Sequence, residues 1–285
     1  YVTGRRVSIS GMLKFLGVSR SGYRAFLNRK VSASRQRKEA VKQDILKVYN
    51  DSKQNYGAPK IAKELRKSGE IISERTVGKY MHEMGIKAQW VKPWIATTRD
   101  SDFSNELHNI LDEQFNPERP NAVWCTDITY IWTQDGFVYL NCIMDLFSRK
   151  IIAWTLSDNM EVSSVIETIN KAKAYRNTDQ PLIIHSDRGS QYVSNAWREA
   201  TKHMERSYSH TGYPYDNACI ESFHSLIKRE WLNRFKIQNY NHAYKLIFEY
   251  IETFYNTVRI HSHCNYMSPN DFEKLFERAN SLSAA

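Results

Sequence analysis

Three carboxylates set far apart in the chain, Asp127, Asp187 and Glu221, have residue settings suited to a single active site. Asp127 closes the apolar run Ala122-Val123-Trp124-Cys125-Thr126 and precedes the β-rich Ile128-Thr129-Tyr130-Ile131. Asp187 closes Leu182-Ile183-Ile184-His185-Ser186 and opens Arg188-Gly189-Ser190-Gln191-Tyr192. Glu221 lies in the stretch from Asn217 to Lys228, which has helical periodicity. Asn217 and Ser225 share its face, and Lys228 follows about 10 Å along the same face. Two acids at strand ends and one on a helix are a way to hold divalent metal against a phosphodiester. Mg²⁺ prefers oxygen ligands and keeps several waters, so two or three carboxylates suffice. Two such ions about 3.5–4 Å apart stabilise both the attacking and the leaving oxygen.

Such residues need a sheet and covering helices to position them, and the pattern from residue 122 onward supplies both. Runs 123–131, 137–145 and 151–156 are β-branched and aromatic, broken by Asp135-Gly136 and Ser148-Arg149-Lys150. The Asp-Gly pair argues for an antiparallel hairpin. A helix is expected over 162–175, a short buried strand over 182–186, a helix over 196–203 and a strand over 207–210. Residues 217–231 and 242–254 read as the last substantial helices. Three antiparallel strands followed by alternating helices and strands make a mixed sheet covered by helices.

Upstream, residues 7–29 read as a helix–turn–helix: Gly17 breaks the first apolar run, Ser19 caps the second, and Arg20 and Arg24 lie exposed on it. Residues 31–38 read as a basic hinge or helix start. A helix over 39–50 follows, then one with Pro59 in its first turn. Ser73 caps a further helix carrying Arg75 and Lys79 and ended by Gly85, a second helix–turn–helix candidate. The alternative is a helical dimerisation module with a basic solvent face. Residues 86–120 read as a connector with a short helix over 106–115, anchored by Trp90 and Trp94 or offering them to DNA. The expected domains are 1–38, 39–98, a linker over 99–120, and a catalytic unit over 121–285.

Charge supports this division. Residues 1–100 carry 22 Lys and Arg against 8 Asp and Glu, a net of +14, whereas the remainder carries −5. A basic segment joined to a mildly acidic one points to a nucleic-acid-binding region attached to something else. No run of about 18 apolar residues marks a membrane span. The four cysteines, Cys125, Cys142, Cys219 and Cys264, form no CxxC pair, which fits a reducing cytoplasm. His261-Ser262-His263-Cys264 lacks a second ligand pair nearby, which argues against zinc. The chain begins with Tyr1 rather than Met, compatible with a fragment or the downstream part of a longer product.

The stretches WCTDITYI (124–131), MDLFSRKIIAW (144–154), HSDRGSQYVS (185–194), GYPYDNACIESFHSLIKRE (212–230) and YNTVRIHSHCNYMSP (255–269) make a further reading possible. With YGAPKIAKEL (56–65) and SERTVGKYMHEMGI (73–86), they resemble DDE transposases of the insertion sequence three family, in particular its OrfB product. The resemblance covers nearly the whole chain. It implies an RNase H-like, retroviral-integrase-like core with a mixed five-stranded sheet, preceded by all-α helix–turn–helix DNA-binding units. It also implies Asp127, Asp187 and Glu221 as the triad holding two Mg²⁺ ions (Mn²⁺ substituting), with Lys228 at the family's basic position. The 33 residues between Asp187 and Glu221 are slightly fewer than in retroviral integrases, a difference assigned to the loop 211–216.

Expected substrates are double-stranded DNA with terminal inverted repeats and a target DNA, held by a homodimer or higher oligomer in the nucleoid-associated bacterial cytoplasm. A frameshift fusion with the upstream reading-frame product is compatible with the resemblance. Gln191 in its tight turn is expected to approach DNA, and Tyr213 and Tyr215 to stack on nucleotides. His185 and His210 read as hydrogen-bonded core histidines, and Asp145 as a structural acid more than a metal ligand. Arg259 and His261 match the family's C-terminal signature, as DNA contacts or as braces of the core. A nuclease on the same fold and a non-enzymatic DNA-binding regulator are the competing readings.

Overall fold

A computed structural model describes residues 8–89, 107–176, 178–210 and 214–283. Five strands, β1 (Val123–Thr133), β2 (Gly136–Asp145), β3 (Lys150–Ser157), β4 (Ile183–Ser186) and β5 (Glu205–Tyr208), form one sheet in the order β3-β2-β1-β4-β5. The first three are antiparallel, while β4 and β5 run parallel to β1. The β1–β2 hairpin closes with Thr133 opposite Gly136, whose φ of 123° favours a residue without a Cβ. The sequence expectation of an antiparallel hairpin at Asp135-Gly136 therefore holds.

Alternation along β1 and β2 sends residues to two cores. Trp124 and Ile143 meet helices α6 (Val162–Tyr175) and α7 (Asn195–Ala200) on one face. Cys125, Leu140 and Cys142 meet α8 (Ala218–Glu230) and α9 (Tyr240–Tyr250) on the other. A buried polar lattice stiffens the first layer. Thr126 Oγ1 bonds Asn141 Oδ1 (3.2 Å) and Tyr192 OH (3.2 Å), while Asn141 Nδ2 donates to Thr168 Oγ1 (2.9 Å).

Among the described amino-terminal residues the regular elements are all helices: α1 (Ile9–Phe15), α2 (Arg20–Leu27), α3 (Ala33–Asp51), α4 (Ala58–Lys67) and α5 (Glu74–Glu83). Ser8, Ser19, Ser32 and Ser73 each accept a backbone N–H at a helix start. Three expectations need correction. The helix expected over 39–50 begins at Ala33, capped by Ser32, so residues 31–38 hold the helix start, one of their two readings, rather than a hinge. No helix occupies the described part of 106–115: Asp112 and Glu113 turn left-handed there, and Ser207 Oγ accepts from Ile110 N and Leu111 N. The helix over 242–254 is not the last, since α10 (Pro269–Ser283) follows. It docks through buried Glu273, which accepts from Arg176 Nη2 (2.8 Å) and Ser148 Oγ (2.6 Å). No described helix is long and apolar enough to cross a membrane.

The helical region rests on the catalytic unit. Val41, Ile45, Ile61, Leu65, Val77 and Met81 share one core with Ile260. Tyr56 OH accepts from Ile260 N at 2.8 Å, and Lys53 Nζ pairs with Glu249 at 2.6 Å.

Candidate active site

Strand register brings the first two acids together. β1 and β4 pair in parallel with Cys125 opposite His185, so Asp127 and Asp187, two residues further on each, fall at the same level. Both share the parity of Cys125 and point to the face that α8 covers. Asp127 is not at a strand end as the sequence suggests: β1 continues to Thr133, and only its pairing to β4 stops at Cys125. Asp187 follows directly on β4, as expected.

Asn217 brings in the third acid. Its side chain does not cap α8; Nδ2 donates 3.2 Å to the carbonyl of Thr126, the residue before Asp127. The helix is thereby tied to β1 one turn from Glu221. Ile220, Phe223 and Ile227 bury the opposite side of α8 and leave the Glu221 side chain open to solvent along its length, while its carboxyl end is half desolvated beside the other acids. Ser225, on the Glu221 face, is also exposed.

The three carboxylates feel one another. Burial, then the charge of Asp127, pushes Asp187 up to about 6, while a bond from Gly189 N to its Oδ1 (3.0 Å) opposes the rise. Burial, then Asp127 and Asp187, pushes Glu221 up to about 7. Among the described residues no three His, Cys, Asp or Glu side chains are grouped so as to hold a metal ion as they stand. The donor set nevertheless fits a hard divalent cation: it offers only carboxylate oxygens, and their mutual repulsion is what a cation would relieve.

Lys228 joins this group. Its Nζ sits 4.6 Å from the Tyr130 ring centroid, and burial lowers its pKa against the opposing charge of Asp127. Tyr130 itself packs edge-on against Phe137. His224 was missed by sequence reasoning, although its spacing of three from Glu221 places it on the same helical side. Its Nδ1 lies 3.3 Å from Asp127 Oδ2.

Other expected residues lie apart from the acids or serve the scaffold. Gln191 Nε2 donates to Met160 O (2.9 Å), holding the turn after Asp187. Tyr215 is exposed in the short 3₁₀ turn Pro214–Asn217, and Tyr213 lies outside the described residues. Arg20 and Arg24 on α2 and Arg75 and Lys79 on α5 are exposed. His185 is fully buried between Ser207 Oγ (2.8 Å) and Ser209 Oγ (3.1 Å), and burial lowers its pKa to about 4. His210, by contrast, is largely exposed and bonds Asp216 Oδ2 at 2.8 Å, so it is not a core residue. Asp145, at the other end of β2, accepts from Asn121 N (2.8 Å) and Phe147 N (3.0 Å) and is structural. Arg259 is a brace. It is buried in a two-point bond to Glu230 (2.7 and 2.6 Å), and its Nη1 lies 3.2 Å from His261 Nε2. His263 Nε2 contacts the carbonyl of Phe147 (2.9 Å) and Cys264 Sγ that of Ser148 (3.1 Å).

An enzyme core of the integrase type is what this sheet and acid arrangement define. Residues 117–214 and 202–269 match integrase core domain families, and residues 36–94 match an HTH-like domain. Over 87% of its length the chain is 36% identical to the transposase for insertion sequence element IS904 of Lactococcus lactis subsp. lactis (strain IL1403), covering 99% of that protein. It is 33% identical to transposase InsF for insertion sequence IS3A of Escherichia coli (strain K12), over 93% of this chain and 94% of that one. The catalytic core domain of HTLV-2 integrase, solved with magnesium, is 18% identical over 55% of the chain with a TM-score of 0.42. The chain belongs to the DDE transposases of the insertion sequence three family and is a polynucleotidyl transferase.

Proposed function

We propose that this transposase binds the terminal inverted repeats of its element, cleaves DNA at the element ends and joins the freed 3′-OH to a target phosphodiester. Asp127, Asp187 and Glu221 are its catalytic, metal-holding triad. The observation that carries this reading is the convergence of the three acids on one face, where two carboxyls are pushed toward neutral pH by burial and by their neighbours' charge. Two Mg²⁺ ions, or Mn²⁺ in their place, would neutralise charge on the attacking and leaving oxygens.

The chain's own residues hold and orient the substrate. Asp127 sits on the central strand, so its carboxyl has the most rigid backbone support of the three. Lys228, partly desolvated beside Tyr130, would meet a backbone phosphate near the acids; its contact with Tyr130 and the pull of Asp127 support this role. Arg20 and Arg24, Arg75 and Lys79 supply the basic faces of two helix–turn–helix units, and Gln191, Tyr213 and Tyr215 are further DNA contacts of this reading. Two element ends must be held at once, so the working form on DNA is a homodimer or larger.

A gel assay with Mg²⁺ and terminal-repeat DNA tests this. Asp127→Asn, Asp187→Asn and Glu221→Gln should each abolish cleavage and joining while leaving DNA binding largely intact. Normal strand transfer by any one of them removes that residue from the triad. Cleavage without joining by the unaltered protein makes it a nuclease, and binding with neither makes it a regulator. Removing residues 1–98 should abolish terminal-repeat recognition, and the affinity of the full chain should fall steeply with salt.

A further inference from the structure

We propose that His224 is a positioning residue for Asp127, donating a hydrogen bond from Nδ1 that sets the orientation of this carboxylate toward the other two acids. The inference rests on Asp127 being a metal ligand. His224 is about 5% exposed, and its Nδ1 lies 3.3 Å from Asp127 Oδ2. The other oxygen, Oδ1, accepts from Ile128 N at 2.8 Å, so a backbone hydrogen bond at one oxygen and the His224 Nδ1 contact at the other bracket the carboxylate.

The direction of the bond follows from the donors available. An ionised carboxylate only accepts, so Nδ1 carries the proton and Nε2 is the bare nitrogen. Nε2 is buried and has no hydrogen-bond partner among the described residues. A proton there would be stranded, which makes the Nδ1–H tautomer the one this environment favours. In water the opposite tautomer predominates, so the site selects against the default. A side chain retained only to fill the space between α8 and the sheet would need no polar atom there. One helix thus supplies Glu221 and, one turn later, the donor that orients an acid from the central strand.

Partners that orient metal-bound carboxylates are commonly worth about 10–100-fold in metal affinity. Imidazole ¹⁵N–¹H spectra of the full chain should therefore show His224 as the Nδ1–H tautomer. Calorimetric Mn²⁺ titration without DNA should show binding weakened about 10–100-fold in His224→Leu. Its melting temperature and terminal-repeat affinity should stay close to those of the unaltered protein. His224→Asn, which keeps an N–H donor at similar reach, should recover most of the loss. An Nε2–H tautomer, or unchanged Mn²⁺ affinity in a folded His224→Leu, overturns the inference. Should His224→Leu not fold, the tautomer of the unaltered protein still decides. Asp127→Asn in the same titration separates the two levels: if it too leaves Mn²⁺ binding unchanged, the metal-site reading fails; if it weakens binding and His224→Leu does not, only the role of His224 fails.

Discussion

Glu221 and Asp187 keep their protons to about pH 7 and about pH 6 because burial and neighbouring negative charge penalise ionisation. The folded chain therefore binds protons that the unfolded chain releases. The stabilising contribution is complete below the ordinary carboxylate range and is lost as pH rises through 6 and 7. Buried His185, lowered to about 4, works in the opposite sense between pH 4 and 6.5, so a single variant must isolate the acids. In calorimetry without divalent cation, Glu221→Gln should lose less melting temperature than the unaltered protein between pH 5 and pH 8. Mg²⁺ should raise the melting temperature more at pH 8 than at pH 5; an equal rise would mean that these acids do not hold it. Gly189 offers a second test. A Cβ there would lie 3.0 Å from Asp187 Oδ1 and 3.1 Å from Gln191 Oε1, so one must give way. Gly189→Ala should cost at least about tenfold in strand transfer, as expected when a carboxylate is displaced by a few tenths of an ångström, with little change in far-UV circular dichroism. The three acids were legible in the sequence because each ends or follows a distinctive apolar or helical run. His224 was not, since a lone histidine in an amphipathic helix carries no mark of what it faces.

Strands and helices were read well where periodicity was unbroken: α6 spans the expected 162–175, and β1 to β3 begin and end within two residues of their apolar runs. The failures have local causes. Polar, Arg-rich residues 31–38 left hinge and helix start both open, and Ser32 with the helix-forming tendency of the stretch carries α3 back from the expected 39 to Ala33. The α10 signal was present in Ser268, whose Oγ accepts from Asp271 N, and in Phe272 and Phe276, which pack on Phe147; the adjoining polar residues obscured it. Asp145 makes the element-level prediction. Asp145→Ala strands the N–H groups of Asn121 and Phe147, at a cost of about 2–4 kcal/mol in urea unfolding. Mn²⁺ affinity in that variant should be unchanged, and a large loss would make Asp145 a ligand.

Across the whole molecule, the helix–turn–helix region is seated on the catalytic unit rather than tethered to it. Ile260 completes its core, Tyr56 accepts from the Ile260 amide, and Arg234 donates to Lys53 O and Asn55 Oδ1. A piece lacking residues 1–98 should melt below the full chain because Ile260 and its neighbours become exposed; an equal melting temperature would show that the contact adds no stability. Arg259→Ala should destabilise by about 3–5 kcal/mol, since Glu230 is left buried without its partner. Composition and local pattern alone determined a basic helical region joined to a mixed sheet covered by helices and carrying three acids, while the integrase-type core came from the resemblance of its motifs to a known family. Those properties depend on residue type and local periodicity, which a linear chain displays. Tertiary structure alone decided that the pairing of β1 with β4 stops just short of Asp127, that Asn217 and His224 reach β1, and that Arg259 braces the core. Each of these depends on which side chains meet across strand register and helix packing, and residues about 29 to 97 positions apart make those contacts.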